Sequence, residues 1–574
     1  MEGKQNYFPI FQWASNYKRE NLSGDLSAGL TVGVMLVPQG MAYAMLAGLP
    51  PIYGLYASTI PLVLYAIFGT SRQLAVGPVA MVALLISSGV GQLAELGSTE
   101  FIDLAILLTL MVGTIQFLMG LFRLGFIVNF LSHPVIAGFT SAAALIIGFS
   151  QLKHLLGVDI PRGKVHEIII NVFQNIDQIN LPTLTLGGVA IAILLFIKQL
   201  KRRIPAPLIV VVLGIVAVYA ANLTVVGVKI VGEVPSGFPQ FSWPDIQTDA
   251  LQVLLPTALT IAFVGFMESI AVAKAIQKKH KDYEIDNNQE LIGLGLANVF
   301  GAFFKSFPVT GGFSRTAVND QAGAKTGLAA IVSAILVTLT LLFLTDYFYY
   351  LPTAILSAII MVAVFGLIDV KEARHLWKTD RKDFSLFMIT AIGTLILGIE
   401  EGILLGAILS LLVVIYTISY PHIAVLGRSA NAEIYRNISR FDDVAFIPET
   451  LIIRLDARLY FANIHYFKDF VWKQIDQYPD TKYFILDAKA INGLDSSGVH
   501  LLTDMIADLR QRDITFYMVD VKGIVRDVLV RSGLIQVIGH DKIFNDVEEA
   551  VQVITQSKDP SKETKKYAIQ SNIK

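Results

Sequence analysis

The sequence predicts an α-helical polytopic membrane protein of about fourteen segments, followed by a small soluble α/β domain. Three observations lead there. The 574-residue chain is 54% hydrophobic and only 16% charged, whereas an ordinary soluble domain carries roughly 25% charged residues. Apolar runs follow one another with short polar breaks as far as residue 428; beyond it charges recur every few positions and no run is long enough to span. The Lys and Arg clusters between the runs all fall in loops of one parity.

The apolar region divides into approximate segments 24–45, 52–69, 75–92, 102–122, 127–152, 182–200, 205–223, 253–277, 288–305, 311–322, 326–346, 351–369, 382–398 and 401–420. Leu186 to Ile197 with its flanks and Gly327 to Leu344 approach full spans. The third and tenth segments are too short, or too broken by Gly and Pro, to cross as ordinary helices. The expected organisation is a cytoplasmic N-terminal stretch 1–22, a transmembrane domain 23–428, a cytoplasmic soluble domain 429–556 and a lysine-rich, disordered tail 557–574.

Positive charge sets the orientation. Arg72, the group Lys198, Lys201, Arg202 and Arg203, the group Lys274, Lys278, Lys279 and Lys281, and the run from Lys371 to Lys382 follow segments two, six, eight and twelve. The positive-inside rule then places both termini in the cytoplasm, in a cell (plasma or inner) membrane. A large soluble helical protein would have no reason to show this parity. Met1 to Asn21 lacks the apolar stretch of a cleavable signal, so the first segment acts as its own insertion signal. The chain has no cysteine, which excludes disulfides and thiolate metal sites. Its net charge of −1 gives no reason to expect nucleic acid. No metal-ligand spacing, phosphate-binding loop or nucleophile elbow is present, so neither an enzyme nor a metal or cofactor is expected.

The two halves echo each other. Gly77-Pro78 opens the third segment, and Gly311-Gly312-Phe313-Ser314-Arg315 opens the tenth, the third of the second group of seven. Seven is odd, so the second group enters from the opposite side and the repeat is a 7+7 inverted one. Interrupted segments at matching positions in inverted halves point to a transport site at the bilayer midplane. A half-helix that begins inside the membrane leaves its first N–H groups without intrahelical partners. With the helix dipole, those donors favour an anion.

Arg315 sits at the start of the tenth segment, where a guanidinium is costly and by default functional. Its fork suits an oxyanion; the alternative is a structural Arg that pins the helix start. Glu268 has no cation beside it in sequence. A carboxyl withdrawn from water in this way is a candidate proton-coupling group, the alternative being a permanent Glu268–Arg315 ion pair. Gln39 and Tyr43 are four apart and share a helix face, offering an amide and a hydroxyl to oxyanion oxygens. Glu400-Glu401 lies at a segment boundary and reads as interfacial.

The run Val37-Pro38-Gln39-Gly40-Met41-Ala42-Tyr43-Ala44, with Gly48-Leu49-Pro50-Pro51, Gly54-Leu55-Tyr56, Phe68-Gly69-Thr70-Ser71-Arg72 and Val76-Gly77-Pro78, resembles the N-terminal signature of the sulfate permease (SulP) family, solute carrier family 26 in animals. Phe313 to Asn319 with Ala322-Gly323-Ala324-Lys325-Thr326 resembles its tenth-segment motif. The resemblance implies a UraA-like fold of core and gate (scaffold) domains, elevator movement of the core, and homodimers. It implies a substrate site at Gln39, Tyr43, Gly77, Pro78, Val79, Ala80, Phe313, Ser314 and Arg315, with Glu268 beside it. Members carry sulfate, bicarbonate, chloride, oxalate or dicarboxylates. Glu at 268 with an intact Phe-Ser-Arg looks more like the proton-coupled sulfate branch than the sodium-coupled bicarbonate one. A sodium-coupled bicarbonate or dicarboxylate carrier, an anion exchanger, and a channel-like or motor-like member remain the alternatives. A nucleobase transporter of the same fold would gain little from Arg315.

From about 445 to 556 strands and helices alternate. Thr450 to Leu455, Tyr483 to Asp487 and Ile514 to Val519 read as strands, Asn463 to Tyr478 and Ser497 to Arg510 as helices. This domain resembles STAS, through Leu459 to Asn463 and Asp495-Ser496-Ser497-Gly498. In the related anti-sigma-factor antagonists a serine of that turn is phosphorylated, which makes Ser496 and Ser497 possible regulatory residues. The residue types are equally explained by a helix N-cap. A cytoplasmic protein partner of this domain is a further expectation.

Overall fold

A computed structural model describes residues 8–15, 17–126, 132–160, 164–199, 205–280, 282–429 and 434–557, without the side chains of 198, 399, 400, 403 and 557. Lys201, Arg202, Arg203, Lys281, the start of the fifth segment and the 558–574 tail lie outside the described residues, as do the side chains of Lys198 and Glu400. The chain divides into two compact units between Leu411 and Leu412, a boundary that falls within the helix Ile399–Ser419, which is described with the first.

In the first unit the helices are α1 (Ile10–Ala14), α2 (Arg19–Ala47), α3 (Ile52–Tyr56), α4 (Ile60–Phe68), α5 (Ala80–Val90), α6 (Thr99–Leu121), α7 (His133–Ser150), α8 (Leu152–Leu156), α9 (Val165–Gln174), α10 (Leu181–Gln199), α11 (Ala206–Ala220), α12 (Thr248–Gln277), α13 (Asn287–Phe303), α14 (Phe313–Ala322), α15 (Leu328–Phe343), α16 (Thr353–Phe365), α17 (Val370–Thr379), α18 (Arg381–Leu397) and α19 (Ile399–Ser419). Two strands of two residues, β1 (Val76–Gly77) and β2 (Thr310–Gly311), precede α5 and α14. The fourteen predicted segments are all present, most with ends within a few residues of expectation.

Five helices among the described residues, for example Thr99–Leu121 and Thr248–Gln277, are long and apolar enough to cross a membrane by length and composition. Others stay short for local reasons. Gly48 and Gly323 end α2 and α14 in the left-handed region, at φ +89° and +104°, a conformation glycine adopts without steric cost. The amphipathic α9, which sequence periodicity left unassigned, starts with Glu167 accepting from the Lys164 N–H at 2.8 Å.

The inverted repeat is visible in the packing. With α2, α3–α4, α5, α6, α7, α10 and α11 matched to α12, α13, α14, α15, α16, α18 and α19, pairs of packed helices recur. The α2–α15 contact has its mate in α12–α6, α6–α13 in α15–α4, α2–α14 in α12–α5, and α7–α18 in α16–α10. The α4–α13 and β1–β2 contacts are their own mates. Two groups result, a core of α2–α6 with α12–α15 and a gate that includes α7, α10, α11, α16 and α18. Core meets gate through α2–α16, α2–α11 and α5–α7. The mates of these three, α12–α7, α12–α19 and α14–α16, have no comparable packing among the described residues. The packing of core on gate is thus unequal between the two repeats.

Two buried carboxylates, near the starts of α2 and α13, hold the core's loops. Asp25, fully buried, accepts from the Lys325 and Thr326 N–H groups at 2.6 and 3.0 Å and from the Thr326 hydroxyl at 2.7 Å. Glu290, also fully buried, accepts from Thr70 N–H and Oγ1 at 2.6 Å, Ser71 N–H at 2.9 Å and Tyr65 Oη at 2.6 Å. Each carboxylate gains several charge-assisted bonds, which offset its desolvation.

The second unit is an α/β domain with sheet order β4-β3-β6-β7-β8-β9, in which β3 (Ile423–Ser429), β4 (Tyr435–Asn437), β5 (Val444–Ala445, paired with β3), β6 (Thr450–Leu455), β7 (Tyr483–Asp487), β8 (Thr515–Val519) and β9 (Ile543–Phe544) take part. The last four path strands, β6 to β9, run parallel. Helices α20 (Ile464–Gln477), α21 (Ser496–Gln511), α22 (Gly523–Arg531) and α23 (Leu534–Ile538) build one apolar core and α24 (Val547–Ser557) the other. The three predicted strands and two predicted helices are all found.

Candidate functional site

The two interruptions meet. Val76 pairs with Gly311 and Gly77 with Thr310 in an antiparallel bridge, so α5 and α14 start side by side and leave in opposite directions. Gly77 adopts φ +151°, and Pro78 then directs the chain into α5. Neither helix has a side-chain N-cap: Val79 and Gly312 precede them with extended backbone. The first intrahelical bonds close at Ala83 and Thr316. The N–H groups of Ala80 to Val82 and of Phe313 to Arg315 are therefore the orphan donors of two helix starts.

Neighbouring polar side chains brace this bridge. Ser269 Oγ accepts from Gly311 N–H at 2.7 Å and lies 2.6 Å from Thr310 Oγ1, which is bonded to the Gly265 carbonyl. Thr316 Oγ1 accepts from Ala75 N–H at 3.0 Å and donates to Gly312 O at 2.7 Å. Asn298 bonds both the N–H and the carbonyl of Val309 and takes Gln116 as a further partner. Asn319 donates to the Gln73 carbonyl at 2.9 Å, just ahead of β1. Sequence reading missed these braces. The available signal was a small hydroxyl beside each singled-out charge, Ser269 next to Glu268 and Thr316 next to Arg315.

Arg315 is 3% exposed. Its Nη1 donates to the Pro78 carbonyl at 2.6 Å, and its Nη2 lies against Gly77 and Gly312. Its Nε and Nη2 have no hydrogen-bond partner, nor does Oε2 of Glu268. No ion pair within 4.0 Å joins these two among the described residues, so the permanent-pair alternative is not what the structure contains. Arg315, Glu268 and Tyr43 nonetheless lie within one another's electrostatic reach. Tyr43 and Gln39 are both buried, at 6% and 5%, four residues apart on α2. Val79 packs against Gly312, and Ala80 is the first residue of α5. Phe313 and Ser314 are exposed on the other side of the same helix start. The structure thus gathers seven of the ten transmembrane candidates around the bridge, Gln39 joining only through the face it shares with Tyr43, and Phe313 and Ser314 only through their place ahead of Arg315 in the same helix start.

A buried, incompletely bonded guanidinium is costly unless a counter-charge reaches it. Two helix N-termini add roughly half a positive charge each, so the site carries about two positive charges beside one carboxyl. Such a site can hold a small oxyanion by backbone and guanidinium donors together. Among the described residues no group of three His, Cys, Asp or Glu could hold a metal ion.

In the second unit, the Asp495 carboxylate accepts from Gly498 N–H at 2.8 Å and from Phe461 N–H at 3.0 Å. Asp495 is therefore the N-cap of α21, while Ser496 is exposed and Ser497 half-buried in its first turn.

Comparison with known proteins adds to this. The sequence profile of the sulfate permease family matches residues 22–390 and that of the STAS domain residues 443–550. The chain is 42% identical to sulfate transporter 4.1, chloroplastic, of Arabidopsis thaliana, over 96% of this chain and 82% of that protein. It is 34% identical to the same plant's sulfate transporter 3.2, over 96% and 88%. The structure resembles that of the murine anion transporter solute carrier 26 family member A9 in its inward-facing state, at 27% identity and a TM-score of 0.88 over 96% and 94% of the two chains. The transmembrane domain of a cyanobacterial bicarbonate transporter, BicA, shares the fold at a TM-score of 0.59 over 68% of this chain and 98% of that one.

Proposed function

The chain belongs to the sulfate permease family, one of membrane transporters and not of enzymes, and from that premise we propose that it takes up sulfate in symport with protons. The observation that carries this reading is the Arg315 guanidinium held between two uncapped helix starts. Relatives named sulfate transporters support the choice of anion. Electrostatics supports it as well: about two positive charges balance a dianion when Glu268 is protonated, and leave a net excess of negative charge when it is ionised. Binding of the dianion and of a proton therefore favour each other. Gln39, Tyr43, the Gly77 to Ala80 turn and Phe313-Ser314 complete the pocket.

The same geometry supports an elevator movement. The site sits wholly on core helices, and the unequal packing of core on gate has a mirror-related counterpart in which α12 and α14 close while α2 and α5 open. Loop charges such as Arg72 and Lys279 support a multi-pass protein with its N-terminus and STAS domain in the cytoplasm; the homodimer and a protein partner of the STAS domain are what the family resemblance adds. The test is uptake of radiolabelled sulfate into proteoliposomes under imposed pH or sodium gradients, with bicarbonate and dicarboxylates as competitors. Accumulation driven by a pH gradient supports symport; accumulation driven only by sodium contradicts it.

A further inference from the structure

Helix α17 joins α16 to α18 and lies across two helix starts. Its Leu376 packs with Ala137 of α7 and Phe387 of α18, and Ala373 sits against the same cluster. Ala137 and Phe387 belong to the first two turns of segments that cross the bilayer, so α17 rests at the level of the membrane surface. Its residues sort by side. At about 3.6 residues per turn, the stripe of Ala373 and Leu376 is followed around the helix by Val370 and Trp377, both more than half exposed. Next come Arg374, Lys378 and Lys371, all exposed. The Trp377 ring meets that of Phe384 at 4.8 Å between centroids, and the Arg381 guanidinium lies 5.6 Å from its centre. The carboxylates of this stretch are engaged elsewhere. Asp369 accepts from the Glu372 N–H at 2.9 Å, Asp380 from the Lys382 N–H at 2.8 Å, and Glu372 lies 3.5 Å from His133 Nε2. The charged groups of Lys371, Arg374 and Lys378 have no polar partner among the described residues.

We propose that this face of α17 binds the headgroups of anionic phospholipids, with Val370 and Trp377 set into the acyl boundary and Lys371, Arg374 and Lys378 on the lipid phosphates. A basic amphipathic helix with an aromatic residue beside its cations lies in the interface plane in this way. Tryptophan favours that depth, and each Lys or Arg beside an anionic bilayer adds to the attraction. The orientation rule asks only for a number of positive charges in the loop. Here three unpaired cations share one side of a helix and border an exposed tryptophan, an order that the rule does not require. Because α17 is packed on α7 and α18, such lipids would hold the gate in the bilayer. The proposal takes from the reading above only that these two helices cross the membrane, and it does not depend on which anion is carried.

The experiment is quenching of Trp377 fluorescence by phospholipids brominated on their acyl chains, in bilayers that contain the full chain. Trp13→Phe, Trp243→Phe and Trp472→Phe leave Trp377 as the one emitter of the four tryptophans. Brominated phosphatidylglycerol and brominated phosphatidylcholine are compared at equal mole fraction in an otherwise identical mixture of the two lipids. The expected result is a preference of about three- to ten-fold for the anionic lipid. It should fall to about one in Lys371→Gln with Arg374→Gln and Lys378→Gln, and shrink in added inert salt. Quenching by neither lipid means that water or protein covers this face, and it overturns the proposal. So do equal quenching by both lipids and a preference that survives the glutamines or the salt. If the single-tryptophan chain fails to fold, wild type measured against Trp377→Phe isolates the same signal and is judged by the same outcomes. If the glutamine variant fails to fold, the headgroup and salt comparisons decide. Quenching is read without transport, so a failure of sulfate uptake leaves this result standing and the two readings fall separately.

Discussion

Arg315 Nη1 donates a 2.6 Å hydrogen bond to the backbone carbonyl of Pro78, so a side chain of the tenth segment is fastened to the turn that opens the third. The bond uses one guanidinium nitrogen and leaves Nε and Nη2 without a partner at the point where two helix starts converge. A purely structural arginine would be expected to spend its whole fork on protein acceptors.

Replacing Arg315 should therefore separate charge from geometry. Arg315→Ala should abolish sulfate uptake. Arg315→Lys keeps a cation but loses the planar fork, and its kcat/KM should fall about 10- to 100-fold, the range of a lost hydrogen bond to a charged group. Initial rates in proteoliposomes read both effects.

Glu268→Gln should retain exchange of internal for external sulfate while abolishing accumulation against a gradient driven by pH. Glutamine keeps the side chain's size but is permanently neutral, as the carboxyl would be when protonated. A variant that still concentrates sulfate under a pH gradient rules out Glu268 as the coupling group.

Asp25→Asn and Glu290→Gln should weaken the fold rather than the site. Each replaces a fully buried carboxylate that accepts several bonds from a distant loop. The expected cost is about 2–4 kcal/mol, seen as a lower Tm in detergent, with the KM of the remaining folded protein near wild type.

Glycine replacements should divide by what a Cβ meets. In Gly312→Ala it would sit 3.0 Å from Arg315 Nη2 and 3.3 Å from Val79 Cγ1. The guanidinium must give way, so KM should rise with little loss of Tm. In Gly54→Ala it would sit 1.9 Å from the Gly40 carbonyl oxygen, a backbone atom of α2 that cannot yield, and folded protein should be largely lost.

The STAS sheet should loosen in acid at one identifiable point. Burial pushes the Asp456 carboxyl up, but hydrogen bonds from Arg454 and His422 outweigh it and hold the group below the usual carboxylate range. A depressed folded-state value contributes stability above the unfolded value, near 4, and that stability is lost as pH falls below it. Hydrogen exchange of β3 and β6 in the full chain should accelerate over that acid range in wild type, and Asp456→Asn should flatten the dependence.

Much of this was legible because membrane segments announce themselves by length. The predicted 102–122 is α6, Thr99–Leu121, and the predicted 382–398 is α18, Arg381–Leu397. Gly77-Pro78 and Gly311-Gly312 marked the interruptions, since only such residues break an apolar run cheaply in lipid. What sequence could not reveal was contact between remote positions. Asp25 and Thr326 are 301 residues apart, and nothing local to either announces the bond. The loop motif at Phe68 to Arg72 carried the family resemblance without showing its purpose, which is to wrap its backbone around Glu290. The pairing of β1 with β2 spans two residues on each side, too few for any strand pattern to show. Whether Glu268 and Arg315 form an ion pair was open for the same reason, and only their coordinates exclude it.

The most direct test is to locate the anion itself. Selenate is a tetrahedral dianion close to sulfate in shape, and its selenium scatters X-rays anomalously. Crystals of the full chain grown with selenate should show one anomalous peak between the N-termini of α5 and α14, within hydrogen-bond reach of Arg315, and none in Arg315→Ala. A peak elsewhere in the membrane unit, or one that persists without the guanidinium, would contradict a site built on the two converging helix starts.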